Sequence, residues 1–591
     1  MIRTDSFRSH PGLPAAASAS VVFAAWLFSS VPCVAQTSAD FPLAGGTLNN
    51  QRYSLLSQIT PRNVSRLGGA WTMHVADGSA TSPMQATPVV VDGVMYLPAA
   101  GNILALDAAT GEVKWRYKAG NPAATNRGVT VAEGKVFTSG GGNTLIALDC
   151  RTGTLLWTAA VGDRGRTISP PYYYQGRVFM GISGGESGVR GFFGAYDAET
   201  GKPVWGFWTI PGPGDRGHET WAGDSWQYGG GPVWTHPAID PGLGMIYIAV
   251  GNASPDEDGT ARAGDNLFTV SIVALDLKTG AYKWHFQEVH HDLWDYDNSV
   301  SPVLADIPYR GNTRKVLLHA GKTGMVYIFD RITGKPLIGI DERPVPQEPR
   351  NHTAATQPFS RADTFVPTCP EPGSVPAGMK SSCVFGSFWD EPVVMTPGTL
   401  GGSSWAPMSY SPLTHLLYVA GGIMNSAFTL HREEWNPATN RLHSLDQNHG
   451  MGHPAGEPRA GTLTAINPTT GKIVWQKRRP YPLGAGSGFL TTATGLLFHG
   501  EPDGRFVAYN SRDGSELWSF QTGAGADAPA ITYEVAGQQY LAILAGGNAY
   551  SRSPRGDSLW CFKLGGTVPP ASAPTPPPDR QPGRGGRQAG R

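Results

Sequence analysis

The chain has 591 residues, more than one ordinary compact core holds, so several domains or a single repeat architecture are required. Lysine plus arginine and aspartate plus glutamate both number 46, a zero net charge that exerts no long-range pull on nucleic acid or an anionic membrane. Charged residues make up only 16%, while 77 glycines and 17 tryptophans favour an all-β fold of many turns and buried aromatics over a helical one.

Residues 1–35 read as an export signal. Arg3 and Arg8 form a basic start, and an apolar stretch runs from about Ala15 to Val31. Cys33-Val34-Ala35 then offers a small-x-small cleavage site. An uncleaved anchor is the alternative. No later run approaches the roughly 20 apolar residues needed to cross a bilayer, so the expectation is a periplasmic protein, not an integral membrane one.

From Trp71 onward one pattern recurs: Ala-x-Asp-x-x-Thr-Gly-x-x-x-Trp. It occurs at Ala105/Asp107/Thr110/Gly111/Trp115, Ala147/Asp149/Thr152/Gly153/Trp157, Ala195/Asp197/Thr200/Gly201/Trp205 and Ala274/Asp276/Thr279/Gly280/Trp284. A weaker copy at Asp330/Thr333/Gly334 has Ile338 in the tryptophan slot. Two late copies use Asn: Ala465/Asn467/Thr470/Gly471/Trp475 and Ala508/Asn510/Asp513/Gly514/Trp518. Alternating apolar residues make a strand, Asp or Asn opens a tight turn completed by Gly, and the next strand returns Trp to the sheet. Each unit is a hairpin that buries its faces only by stacking on neighbours, as in a propeller. The eight markers predict eight four-stranded blades over residues 36–566, with the tryptophans serving as docking residues rather than cofactor contacts.

Two inter-marker gaps are long, Trp205 to Trp284 and Ile338 to Trp475, and insertions of this kind often carry function. The Pro/Gly-rich stretch from about Asp341 to Gly402 reads as a covering loop. Residues 567–591, rich in Pro, Gly and Arg, read as a disordered tail. Of the four cysteines after the signal, Cys369 and Cys383 are the best candidate pair. The chain contains no CxxCH, so it attaches no c-type haem.

Several segments depart from the repeat. His290 to Asp297 interleaves three carboxylates and two imidazoles with Trp294 and Tyr296. Strand alternation would put Asp295 and Asp297 on one face, where two carboxylates repel unless a cation neutralises them. Glu186 stands alone among glycines in Ser183–Gly191, and Asn252 follows an apolar strand. Gly229-Gly230-Gly231-Pro232 precedes Trp234, leaving an aromatic face beside bare backbone for a flat ring. Glu186, Asn252 and Asp295 are hard oxygen ligands suited to Ca²⁺ or a similar cation and not to zinc.

These segments resemble those of the pyrroloquinoline quinone (PQQ)-dependent alcohol and sugar dehydrogenases, eight-bladed quinoproteins. The resemblance spans most of residues 45–565. It also rests on Asn50–Ser54, Trp221–Trp226, Gly264-Asp265-Asn266, Ser404–Tyr410 and Gly500–Ala508. It implies Asp295 as catalytic base, and Glu186, Asn252 and Asp295 as metal ligands. It further implies Trp234 stacked on PQQ, Arg127 paired with a PQQ carboxylate, Ser183 as a further PQQ contact, and Lys322 near the reactive carbonyls. The ion would be Ca²⁺ or a lanthanide. Asp297, as a further ligand, would add a third carboxylate and tilt the site towards the trivalent ion. The substrate would be an alcohol or sugar, and the external acceptor a cytochrome c or quinone. Branch signals are mixed. The Glu186 motif resembles the alcohol branch and Lys322 the sugar branch. Asn121 and Pro122 replace the adjacent cysteines of many alcohol-oxidising members. Two other readings compete: a non-catalytic propeller scaffold of the outer-membrane assembly type, and a membrane glucose dehydrogenase-like sugar oxidiser.

Overall fold

A computed structural model describes residues 39–76, 84–119, 125–430, 453–455 and 459–574. The export signal, Asn121 and Pro122 lie outside these residues. The regular secondary structure of the described residues is almost wholly strand, with 3₁₀ turns of three or four residues, and none of it is a helix long and apolar enough to cross a membrane.

The Asp-Gly-Trp units build the sheets that the pattern predicts. Val89–Val91, Val94–Ala99, Asn102–Asp107 and Val113–Lys118 form the antiparallel sheet of Trp115. Equivalent four-stranded sheets carry Trp157, Trp205, Trp284 and Trp475. The sheet preceding Ile338 has three strands, and that of Trp518 has a fifth, Tyr53–Ser54, added in parallel. Leu67–His74, the strand of Trp71, pairs with Ser558–Leu564, so the start of the propeller completes the sheet made by its end.

The repeat's chemistry is visible in one unit. Asp149 Oδ1 accepts from the backbone N–H groups of Arg151 and Thr152 and closes the turn. Ala147 lies opposite Trp157 in the ladder, a small residue facing a large one, and a bulge follows the pair. The Trp115 indole N–H reaches across to the next unit and donates to the Cys150 carbonyl at 2.9 Å. Trp71, Trp157, Trp284 and Trp475 repeat this bond at Ala108, Ala198, Arg331 and Ser511, in each case the residue just after the turn-opening Asp or Asn. Trp518 instead donates to Leu67 on the first strand, joining the two ends of the ring. Trp205 is the exception. The carbonyl it would use, that of Leu277, is approached by the Arg177 guanidinium. Trp71, Trp115 and Trp284 are buried, whereas Trp157, Trp205, Trp475 and Trp518 are half-buried.

The glycine of the turn is required twice over. Gly153 has φ +72°, and a Cβ there would meet Cε3 of Trp115 at 2.6 Å. Gly134 has the same φ with nothing within 4 Å. Gly134→Ala is therefore expected to cost about 1–2 kcal/mol from backbone strain. Gly153→Ala is expected to cost a further ~1–3 kcal/mol for displacing the indole. Chemical denaturation of the two variants side by side reads the difference, and equal losses would remove the docking role of Trp115.

The insertion after Ile338 is more ordered than a covering loop. It holds the hairpin Ile340–Pro344/Thr356–Ser360 and a sheet built from Lys380–Cys383, Val393–Thr396, Ser426–Phe428 and His453–Pro454. A disulfide joins Cys369 to Cys383. Beyond residue 566 the described chain still bonds to the propeller: the Val568 N–H donates to Gly69 and the Ala571 N–H to Gln521.

Candidate active site

Three of the polar segments singled out in the sequence, those of Glu186, Asn252 and His290–Asp297, follow the ends of strands, and Gly229–Trp234 follows the 3₁₀ turn Ser225–Tyr228. Glu186 follows the strand Arg177–Gly181 in a single 3₁₀ turn, Gly185–Ser187, and Asn252 follows Met245–Ala249. Close backbone approach explains the surrounding glycines. A Cβ at Gly185 would run into Asn252 Oδ1, and one at Gly251 into Asp297 Oδ1. The Gly231 N–H donates to the Asn252 carbonyl at 2.7 Å, which brings the Trp234 segment alongside.

The segment 290–298 is not the strand that alternation suggested. Asp295 has φ +57°, a left-handed conformation that Asn, Asp and Gly tolerate best. Buried Asp292 accepts from the N–H groups of Trp294 and Tyr296. The insertion braces the aromatics: the Trp294 indole donates to the Gly386 carbonyl and the Tyr296 hydroxyl to that of Pro397.

Asp295 and Asp297 nevertheless converge, on Lys322. The Lys322 ammonium, 4% exposed, donates to the Asp295 carbonyl at 2.6 Å, to Asp295 Oδ2 at 2.9 Å and to Asp297 Oδ2 at 2.8 Å. Those three contacts match its three donors. Asp297 Oδ1 accepts from the Asn252 N–H at 2.8 Å and from the Trp234 indole at 3.2 Å, so one carboxylate links three of the residues selected from sequence. Burial opposes the Asp297 charge, but Lys322 and these donors outweigh it and hold the carboxyl below its ordinary range. Burial raises Asp295 well above that range, against the pull of Lys322. Asp295 Oδ1 is buried without a hydrogen-bond partner.

Arg127 lies 4.8 Å from the Trp234 ring centroid and 4.9 Å from that of Trp405, and the two indoles are 6.4 Å apart. Its Nε and Nη1 are buried with no acceptor, and burial lowers its pKa to about 10. Unsatisfied buried donors on a cation between two aromatic faces suit a planar anion. Gln85, Thr235 and Ser301 also line this cleft. Ser183 opens instead on an adjacent cavity with Asn126, Arg166 and Thr167.

Glu186 and Asp295 come together with a carboxylate that the sequence reading did not select. Ligand oxygens of Glu186, Asp256 and Asp295 all lie within 4.8 Å of one another. The signal for Asp256 was present as the run Asp256-Glu257-Asp258 just beyond Asn252. Asn252 Oδ1 is buried without a partner. The donor set is entirely hard oxygen, as Ca²⁺ and lanthanide ions require. Asp297 stands outside the trio, its two oxygens turned to Lys322, Trp234 and the Asn252 N–H.

Comparison with known proteins identifies the family. Residues 41–541 match the PQQ glucose/ethanol/alcohol dehydrogenase β-propeller domain family. Quinohemoprotein alcohol dehydrogenase ADH-IIG from Pseudomonas putida is 37% identical, over 90% of this chain and 77% of that protein. The crystal structure of quinohemoprotein alcohol dehydrogenase from Comamonas testosteroni superposes with a TM-score of 0.76 at 32% identity, covering 90% of this chain and 82% of that one. A europium-containing methanol dehydrogenase gives 0.72 at 26% identity, covering 90% and 99%.

Proposed function

Since the chain belongs to the family of PQQ-dependent glucose/ethanol/alcohol dehydrogenase propellers, we propose that it is a periplasmic quinoprotein that oxidises an alcohol, with Asp295 as the base. The observation that carries this reading is the joining, through Asp297, of an unsatisfied arginine between two indoles to a cluster of hard oxygen ligands. A scaffold propeller has no use for either half.

When bound, PQQ supplies a two-electron acceptor for the alcohol, and a Ca²⁺ or lanthanide ion makes its carbonyl more electrophilic. Arg127 would hold a carboxylate of PQQ, Trp234 and Trp405 would provide its aromatic walls, and Glu186, Asn252 and Asp295 would hold the ion. Asp295 takes the alcohol proton on the oxygen that no protein donor occupies, Oδ1. Its burial makes it a stronger base than a solvated carboxylate, while Lys322 favours the ionised form. Lys322 also fixes the 295–297 backbone, so the base is positioned before substrate arrives. Without a CxxCH motif in this sequence, electrons pass to an acceptor outside it, a cytochrome c or a quinone. The signal-like start and the Cys369–Cys383 disulfide support an oxidising, periplasmic setting.

Reconstitution tests this reading. Apoprotein given PQQ with Ca²⁺, or PQQ with a lanthanide, is expected to reduce an artificial dye with a panel of primary and secondary alcohols, and to do so only when both additions are present. A fully loaded protein inert towards every alcohol would overturn it.

A further inference from the structure

One residue of the cleft has no part in the mechanism above. Asp256 is 7% exposed and sits in the turn that follows Asn252. Its Oδ1 accepts a hydrogen bond from Asn252 Nδ2, which also donates to the Ala253 carbonyl at 3.0 Å. An amide whose NH₂ group is held by two acceptors turns its oxygen the opposite way. The Asn252 side chain is fully buried, and its Oδ1 has no hydrogen-bond partner and lies against Gly185, the neighbour of Glu186. An unsatisfied buried oxygen of this kind is costly unless a cation completes it. It is therefore independent support for an ion at the point where Glu186, Asp256 and Asp295 converge.

We propose that Asp256 is a direct ligand of the metal ion and also the residue that orients Asn252 towards it. The inference rests on the reading that this cleft holds an ion beside PQQ. The protein then offers three carboxylates, from Glu186, Asp256 and Asp295, and one amide oxygen. Ca²⁺ is neutralised by two carboxylates and a lanthanide by three, so Asp256 biases the site towards the trivalent ion. Asp297 is not needed for this bias, because Lys322 already compensates it.

The test counts ligands rather than turnover. PQQ-loaded protein is titrated with Eu³⁺ and with Ca²⁺, each alone and in competition. The luminescence lifetime of bound Eu³⁺ in H₂O and in D₂O gives the number of water molecules on the ion. Asp256→Ala is expected to admit at least one more water, and to lower the preference for Eu³⁺ over Ca²⁺ by about tenfold or more, since the lost Coulomb attraction scales with ionic charge. Asp256→Asn keeps the side-chain size and can still accept from Asn252. It is expected to lower the same preference, and it carries the test if the alanine variant does not fold. Unchanged hydration and unchanged preference in both variants would overturn the role of Asp256 and leave the metal site standing. Failure of the unsubstituted, PQQ-loaded protein to bind either ion would overturn both.

Discussion

Asp295→Asn is expected to lower kcat by roughly 10²–10⁴-fold, the usual contribution of a general base, with little change in thermal stability. Asparagine keeps the size of the side chain and is among the few residues that tolerate the left-handed backbone at this position, φ +57°. Its amide oxygen can still accept from Lys322, and the Lys322 bond to the residue 295 carbonyl is untouched. What disappears is a group able to take a proton. Because Asp295 also belongs to the carboxylate trio, turnover must be measured at saturating metal ion, with ion occupancy checked separately. A kcat near that of the unsubstituted protein at full occupancy would rule Asp295 out as the base.

Removing Lys322 should damage stability as well as chemistry. In Lys322→Met the aliphatic stem is replaced, but Asp297, 3% exposed, loses the ammonium that contacts it, and Asp295 loses two hydrogen bonds. Stripping one member from a buried ion pair typically costs about 3–5 kcal/mol, because the other charge is left uncompensated. The metal-free apoprotein should show the loss most clearly as a lower thermal midpoint. In the unsubstituted protein the Asp297 contribution is complete above the unfolded-state carboxyl value of about 3.9 and is lost as pH falls through its lower folded value. Lys322→Met should forfeit it at neutral pH. Adding Asp297→Asn to Lys322→Met should recover part of the loss, since the uncompensated charge is then gone. A single variant as stable as the parent, or a double variant no better than the single, would contradict the ion-pair account.

The repeat was legible in the sequence because each of its letters has one physical job. The Asp caps a turn, the Gly lies under an indole, the Ala faces the Trp across the ladder, and the Trp ties one unit to the next. Periodic constraints of this kind survive as pattern. The hairpin Ile340–Pro344/Thr356–Ser360 and the sheet that starts at Lys380–Cys383 and Val393–Thr396 were not legible, because an insertion stitched together by irregular pairing and a disulfide has no internal period. In the site, residue type pointed to the right segments but not to their partners. Asp295 and Asp297 were expected to share a strand face awaiting a cation. They share Lys322, across a backbone that is not a strand. Asp256 escaped notice because an acidic run in a loop ordinarily means a solvated surface, and only the fold reveals that this one turns inward beneath Asn252.

The most direct measurement of the central claim needs no electron acceptor. Protein loaded with PQQ and an ion is mixed rapidly with excess alcohol, and the absorption of the bound quinone is followed through a single turnover. The account requires reduction of the bound quinone by alcohol in the unsubstituted protein, and loss of most of that rate in Asp295→Asn at equal loading. Bound quinone that stays oxidised in the unsubstituted protein whatever alcohol is added would contradict it.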